Sequence, residues 1–271
     1  MIGVELRKLL RRPRTWIVIA LIDALPTLVA VLLALTDLAP RPGTGPAFLS
    51  AVLSNGVLFP AAALAIVLPL FLPVSVAIIA GDSIAGEAQA GTLRYLLARP
   101  AGRTRLLVAK LVAVLVFVAL AVVVVTVTAY FVGTSLFGSQ PVAGSVVSVS
   151  GTPLTAQQAV VRTLLAMAYV AFSMLGVAAV ALFLSTLTDS PLAAAMGALA
   201  FLVTSSLLLT LDAAGALKPY LPTRYWLAFV DLFRQPILWR DLSRGVALQA
   251  VYLVVLLGAS WANFTTRDIK S

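Results

Sequence analysis

The sequence contains no cysteine and no histidine in its 271 residues. Cys/His zinc sites, thiol nucleophiles, disulfides and Ser-His-Asp triads are therefore excluded. Charge is almost as scarce, since Asp, Glu, Lys and Arg together supply only 11%, against about a quarter in soluble domains. Hydrophobic residues supply 61%. So little polar surface cannot cover a globule in water, but it suits several spans of about 20 apolar residues. A phosphate-binding loop is also missing. It requires Lys after Gly in G-x-x-x-x-G-K-[ST], and none of Lys8, Lys110, Lys218 and Lys270 follows a glycine.

What is present is a set of six apolar runs, at about 16–36, 57–80, 107–131, 160–184, 191–211 and 246–262. In lipid each run must be helical, because a helix satisfies its own backbone polar groups. A β-barrel would instead alternate over segments of about ten residues. The expected fold is all-α: one transmembrane domain over 1–271 with six spans. The first run is too long for a signal-peptide core and lacks a small-residue cleavage site, so it reads as a retained span.

The net charge of +9 reads as topology and anionic-lipid contact, not nucleic-acid binding, because the bases flank apolar spans. Arg7, Lys8, Arg11, Arg12 and Arg14 precede the first span. Arg94, Arg99, Arg103 and Arg105 lie between spans two and three, and Arg267 and Lys270 close the tail. Six alternating helices put these segments on one side, the cytoplasmic one, so both termini are expected inside. The last outer loop, 212–245, dissents with Lys218, Arg224, Arg234, Arg240 and Arg244, partly offset by Asp212, Asp231 and Asp241. It also holds Tyr220, Tyr225, Trp226, Phe229, Phe233 and Trp239, a mixture that suits interfacial helices. Thr223 is placed to cap one of them. Residues 1–15 form a second interfacial candidate: Ile2, Leu6, Leu9 and Leu10 share a helical face opposite Arg7, Lys8, Arg11 and Arg12. Pro13 would end it.

The loop 81–106 reads GDSIAGEAQAGTLRYLLARPAGRTRL. Its spacing predicts that the second span continues past the membrane, carries Asp82 and Glu87 out, and breaks at Gly91. Thr92 can then cap a short helix from Leu93 to about Ala98, with Leu93, Leu96 and Leu97 on one side, until Pro100 stops it. Such a ridge cannot bury itself and needs a groove on a partner. Glu87 has two readings: it braces the loop by pairing with Arg94 or Arg103, or it contacts that partner.

The order Asp82, Ile84, Ala85, Glu87, Gly91-Thr92-Leu93, Leu96-Leu97, Pro100, Arg103, Lys110 resembles the signature of ABC-2 type transporter permeases, the membrane subunits of bacterial ABC exporters. The six-span layout with a basic amphipathic start is similar to that family as well. The resemblance implies that Gly91 to Leu97 form a coupling helix docking on a separate ABC ATPase, present in two copies. It implies a second permease subunit, either a homodimer or a related heterodimer, in the bacterial plasma membrane. It also implies that ATP and Mg are bound by the ATPase, with no cofactor on this chain.

Within the spans, Asp23 is the one convincing acid. Its insertion costs roughly 3 kcal/mol, which makes it a pathway candidate or else a structural acid bonded to a neighbouring helix. Thr126, Thr128, Tyr130, Thr204, Ser205 and Ser206 are polar groups toward the outer ends of their spans, and they are candidates for lining an exit. Pro60, Pro69 and Pro73 make span two a candidate hinge. Ala193, Ala194, Gly197 and Ala198 give span five a small face for close helix contact. An ion- or proton-driven carrier is the alternative function, and Asp23 is its only support.

Overall fold

The computed structural model describes residues 1–36, 56–92, 102–138, 146–147, 150 and 152–266. Eight α-helices among them carry the fold: α1 Ile2–Arg11, α2 Pro13–Leu35, α3 Phe59–Val67, α4 Phe71–Gln89, α5 Arg103–Phe137, α6 Ala156–Leu187, α7 Pro191–Thr210 and α8 Trp239–Thr266. Six of them (α2 and α4 to α8) are long and apolar enough to cross a membrane. The predominantly helical, six-span expectation therefore holds. Among the described residues the one departure from all-α is an antiparallel ladder, Val146 against Leu154 and Val147 against Pro153.

The second run departs most from its expected form. A 3-10 turn at Gly56–Leu58 leads into α3, which stops at Val67, and Pro69 occupies the turn before α4. Pro60 and Pro73 sit in the first turns of α3 and α4. There the missing N–H has no intrahelical acceptor to lose. Only Pro69 stands at the interruption. After it, α4 runs beyond the apolar run's end at 80 to Gln89, in line with the predicted break at Gly91. Span three also overruns its expected limits. At about 1.5 Å per residue, the 35 residues of α5 are about 52 Å long, against a hydrocarbon core of about 30 Å.

Helix α6 is the hub, packed against α3, α4, α5, α7 and α8. Ala178, Ala179 and Ala181 are fully buried on it. Only part of the expected small face of α7 packs within the chain: Ala194 and Ala198 are buried, joined by Ala195, while Gly197 is half-buried and Ala193 exposed, and α7 packs on α4. A Cβ at Gly81 of α4 would lie 3.0 Å from the Ala195 backbone nitrogen. Among the described residues the tightest approach of a glycine to backbone is at the other end of the bundle. There a Cβ on Gly56 would sit 2.0 Å from the Gly133 carbonyl oxygen, so neither glycine can carry a side chain.

The loop 212–245 was expected to hold interfacial helices, but its residues 239–245 already belong to α8, which leaves 212–238 as the connection. It forms three 3-10 stretches, Asp212–Ala214, Lys218–Tyr220 and Trp226–Phe233. Trp226, Phe229 and Phe233 are buried, because the last stretch packs on α6 and α8. The aromatics fill the protein's own interior, while Tyr220 and Trp239 stay exposed. Thr223 does not cap a helix; its hydroxyl pairs with Ser205 at 2.7 Å. Backbone carbonyls in so irregular a segment need outside donors. Tyr169 Oη gives one to Tyr225 O at 2.7 Å, Gln249 Nε2 to Pro222 O at 2.7 Å, and Arg162 Nη1 to Arg234 O at 3.0 Å. Each of those three buried polar residues thereby gains a partner, while Gln249 Oε1 stays without one among the described residues.

Candidate functional site

The opposite end of the bundle gathers the charge. The end of α4, the starts of α2 and α5, and the end of α8 meet there. Arg103 Nη1 donates to Phe264 O at 3.1 Å and Thr265 O at 2.8 Å, capping the last turn of α8. The segments expected to share a side do so wherever they are described.

Helix α4 reaches this end through an altered turn. Ser185 Oγ on α6 donates to Gly81 O at 2.6 Å and accepts from Ala85 N at 2.9 Å and Ile84 N at 3.2 Å. A foreign hydroxyl thus stands in the hydrogen-bond ladder of α4, at the residue where α4 also touches α7. Insertion of this kind is a recognised cause of helix bending.

Two residues after Glu87 the helix ends, just ahead of Gly91, as the sequence predicts. Gly91 has φ +66°, a conformation that favours glycine. Thr92 N bonds to Glu87 O at 3.0 Å and Gly91 N to Ala88 O at 3.0 Å, the two bonds of a Schellman cap. The Thr92 hydroxyl also donates to Glu87 O, at 3.2 Å. Leu93, Leu96, Leu97 and Pro100, expected to form the coupling ridge, lie outside the described residues, as does Arg94.

Glu87 also anchors this turn through its side chain. Lys8 Nζ of α1 donates to Oε1 at 2.8 Å, and Lys110 of α5 pairs with the same oxygen. Lys110 Nζ donates in addition to Glu5 Oε2 at 2.9 Å. A turn away, Asp82 Oδ2 receives Arg12 Nη1 at 3.3 Å and pairs with Arg14. Lys110 is 3% and Glu87 6% exposed. At that depth, removing one partner strands the other. A cavity of about 270 Å³ lies between α1, α4 and α5, lined by these charges and by Leu9, Ile79, Ala113 and Val114.

Glu5, Lys8, Arg12, Arg14 and Ser185 were not singled out by sequence reasoning as site residues. Lys8 and Arg12 read as the polar face of a membrane-surface helix. Glu5 and Lys8 are spaced three apart, which puts them on one side of α1 facing α4 and α5, and Arg12 follows at the helix's C-cap. Of the two bases expected to brace Glu87, Arg103 caps α8 instead.

The exit candidates scatter. Asp23 meets the Thr128 hydroxyl across the α2–α5 contact, and its Oδ1 is buried without a hydrogen-bond partner among the described residues. Thr126 and Tyr130 line an apolar groove of about 390 Å³ with Val57, Pro60 and Met167. The Thr126 hydroxyl bonds back to Val122 O at 2.7 Å. Thr204 is exposed, and Ser205 is the buried partner of Thr223.

A family signature matches residues 28–270, from the middle of α2 through the end of α8. The chain belongs to the DUF2705 family. The family is described as proteins of unknown function. Its matched stretch includes Asp82, Glu87 and Lys110 but stops short of α1, so this member's junction combines residues inside and outside the DUF2705 match. No curated protein matches the chain.

Proposed function

We propose that the chain is the membrane-spanning subunit of an ABC-2 type exporter, driven by ATP hydrolysed on a separate chain. The observation that carries this reading is the anchorage of Glu87. Its carbonyl closes the turn from which residues 93–100 depart, and its carboxylate is tied to α1 and α5. A push on that loop by a partner acts on Asp82, Glu87, Gly91 and Thr92. From there it reaches three helices at once: α4 directly, and α1 and α5 through Lys8 and Lys110. Further along α4, Ser185 and Gly81 form a weakened turn about which the load can bend the helix. Six candidate spans, the gathering of bases at this end and the order of residues from Asp82 to Lys110 support the same reading.

In this proposal the charged end faces the cytoplasm of a bacterial cell, with both termini inside. Two ATPase copies supply ATP and Mg chemistry, and a second permease subunit, the same or related, completes the pathway. The purified chain is expected to hydrolyse no ATP and to confer membrane-dependent ATP turnover on a partner ABC ATPase. Gly91→Pro cannot keep φ +66°, and Leu93→Asp places a charge on the expected ridge. Both variants should insert normally yet lose the stimulated turnover. Full stimulation in both would remove the coupling assignment.

Asp23 favours a second reading, an ion- or proton-coupled carrier. An acid within a span, paired with a neutral hydroxyl and with one oxygen unpartnered, is by default a functional candidate. Transport that survives ATP depletion and collapses with the ion gradient would put this reading first.

A further inference from the structure

The charges around the junction cavity do not cancel. Lys8, Arg12, Arg14 and Lys110 face it with Glu5, Asp82 and Glu87, leaving one positive charge. The surplus sits where Arg12 and Arg14 share the single carboxylate of Asp82, and their side chains are 45% and 47% exposed. Each guanidinium has five donors, so both retain capacity for an anion. At the other end Glu87 is 6% exposed. Its Oε1 takes both lysines, while the buried Oε2 has no hydrogen-bond partner among the described residues. A buried acceptor left unpaired is costly, and this one needs a donor. Past the charges the lining turns apolar at Leu9, Ile79, Ala113 and Val114. Ile79 stands eight residues from Glu87 on the same helix, about 12 Å along the axis, within a candidate span.

An occupant must therefore offer an anion to the arginine pair, a hydrogen-bond donor to Glu87, and hydrocarbon to Ile79 and Val114. A phospholipid meets all three needs. One negative charge balances the surplus. The donor must be neutral, because Lys8 and Lys110 flank Glu87 and repel an ammonium group. We propose that this cavity binds the headgroup of an anionic, hydroxyl-bearing phospholipid, a glycerol phosphodiester of the phosphatidylglycerol type. The phosphate sits on Arg12 and Arg14, and a headgroup hydroxyl donates to Glu87 Oε2. The site depends on no assumption about ATP.

Native mass spectrometry of the purified full-length chain tests this, with lipids supplied in equal mole fractions. Phosphatidylglycerol is expected to be retained at least about tenfold over phosphatidylcholine and phosphatidylethanolamine, and Arg12→Ala with Arg14→Ala should lower its retention by about tenfold, the scale of lost charge-assisted contacts. Arg7→Ala with Arg11→Ala, which removes two exposed bases of α1 that do not line the cavity, should leave retention unchanged. Circular dichroism and gel filtration establish that each variant is folded. Phosphatidylmethanol has the same charge but no hydroxyl and should bind more weakly; equal retention would overturn the Glu87 contact. Chain-free glycerophosphoglycerol should not displace the lipid, and displacement at matched concentration would assign the site to a soluble phosphodiester instead. Equal adducts for all lipids, or a phosphatidylglycerol adduct that survives loss of both arginines, would overturn the site itself.

Discussion

At the scale of single residues, Lys110 shows how a buried charge is tolerated here. It is 3% exposed and holds two carboxylates, Glu5 and Glu87. Taking an ammonium group out of water costs several kcal/mol unless partners compensate, and removing one partner of such a set costs about 3–5 kcal/mol. Lys110→Met should therefore destabilise the protein by about 3 kcal/mol, because it strands Glu87 beside a half-exposed Lys8. Replacing Glu87 by Leu as well should recover part of that loss, since the apolar pair leaves less buried charge uncompensated. Thermal unfolding of both variants in detergent measures this. A double variant no more stable than the single one would mean that Lys110 acts through packing alone. A second residue-scale expectation concerns Gly133. A Cβ there would approach Phe59 Cβ to 2.5 Å and Gly56 O to 2.6 Å. Gly133→Val should cost at least about 1–3 kcal/mol through overpacking, read as loss of the monodisperse peak in gel filtration.

At the scale of the element, α4 is where sequence and structure differ most instructively. Its end was legible: glycine followed by threonine predicts a stop at Gly91, and the Schellman bonds to Glu87 and Ala88 supply it. Its start was not. An unbroken apolar run from 57 to 80 carries no periodic signal that separates one helix from two, and three prolines look alike until their positions within each turn are known. The interruption falls at Pro69, while Pro60 and Pro73 sit harmlessly in first turns. The insertion of Ser185 into the ladder was also beyond reach, since it is a contact between residues 104 apart in sequence. Ser185→Ala removes a buried partner from Gly81 O, Ala85 N and Ile84 N. It should cost about 1–3 kcal/mol, less to the extent that α4 recloses its own ladder. Hydrogen exchange separates the two outcomes. Faster exchange at Ile84 and Ala85 marks lost partners, and slower exchange marks a straightened helix. Unchanged exchange and unchanged stability would show that the hydroxyl does not shape α4.

At the scale of the whole molecule, the helices sort their polar groups by end. Ion pairs joining distant helices gather where α1, α4 and α5 meet, and Arg103 and Asn263 tie α8 to α5 and α6 at that end. The other end is built from side-chain hydrogen bonds to backbone carbonyls and from buried aromatics, with Tyr169, Arg162 and Gln249 holding the carbonyls of 222–234. This division explains why the dissenting bases of the last outer loop mislead a simple count. Arg234 is paired with Asp231 at 2.8 Å, and Lys218 lies 3.7 Å from Asp212. Those bases are offset locally and set orientation less than the bases ahead of the first span, where Arg7 and Arg11 are exposed. In the proposed orientation, which follows the positive-inside rule, the α1–α4–α5 junction faces the cytoplasm. Because the chain has no cysteine, single cysteines can be placed without prior removal of any native thiol. Arg7→Cys and Thr266→Cys, both exposed at the junction end, should react with a membrane-impermeant maleimide only after cells are permeabilised. Gln157→Cys and Tyr220→Cys, exposed at the opposite end, should react in intact cells. The reverse pattern would invert the protein in the membrane. It would put the loop after Gly91 where no cytoplasmic ATPase can reach it, and ATP-driven export by this route would be ruled out.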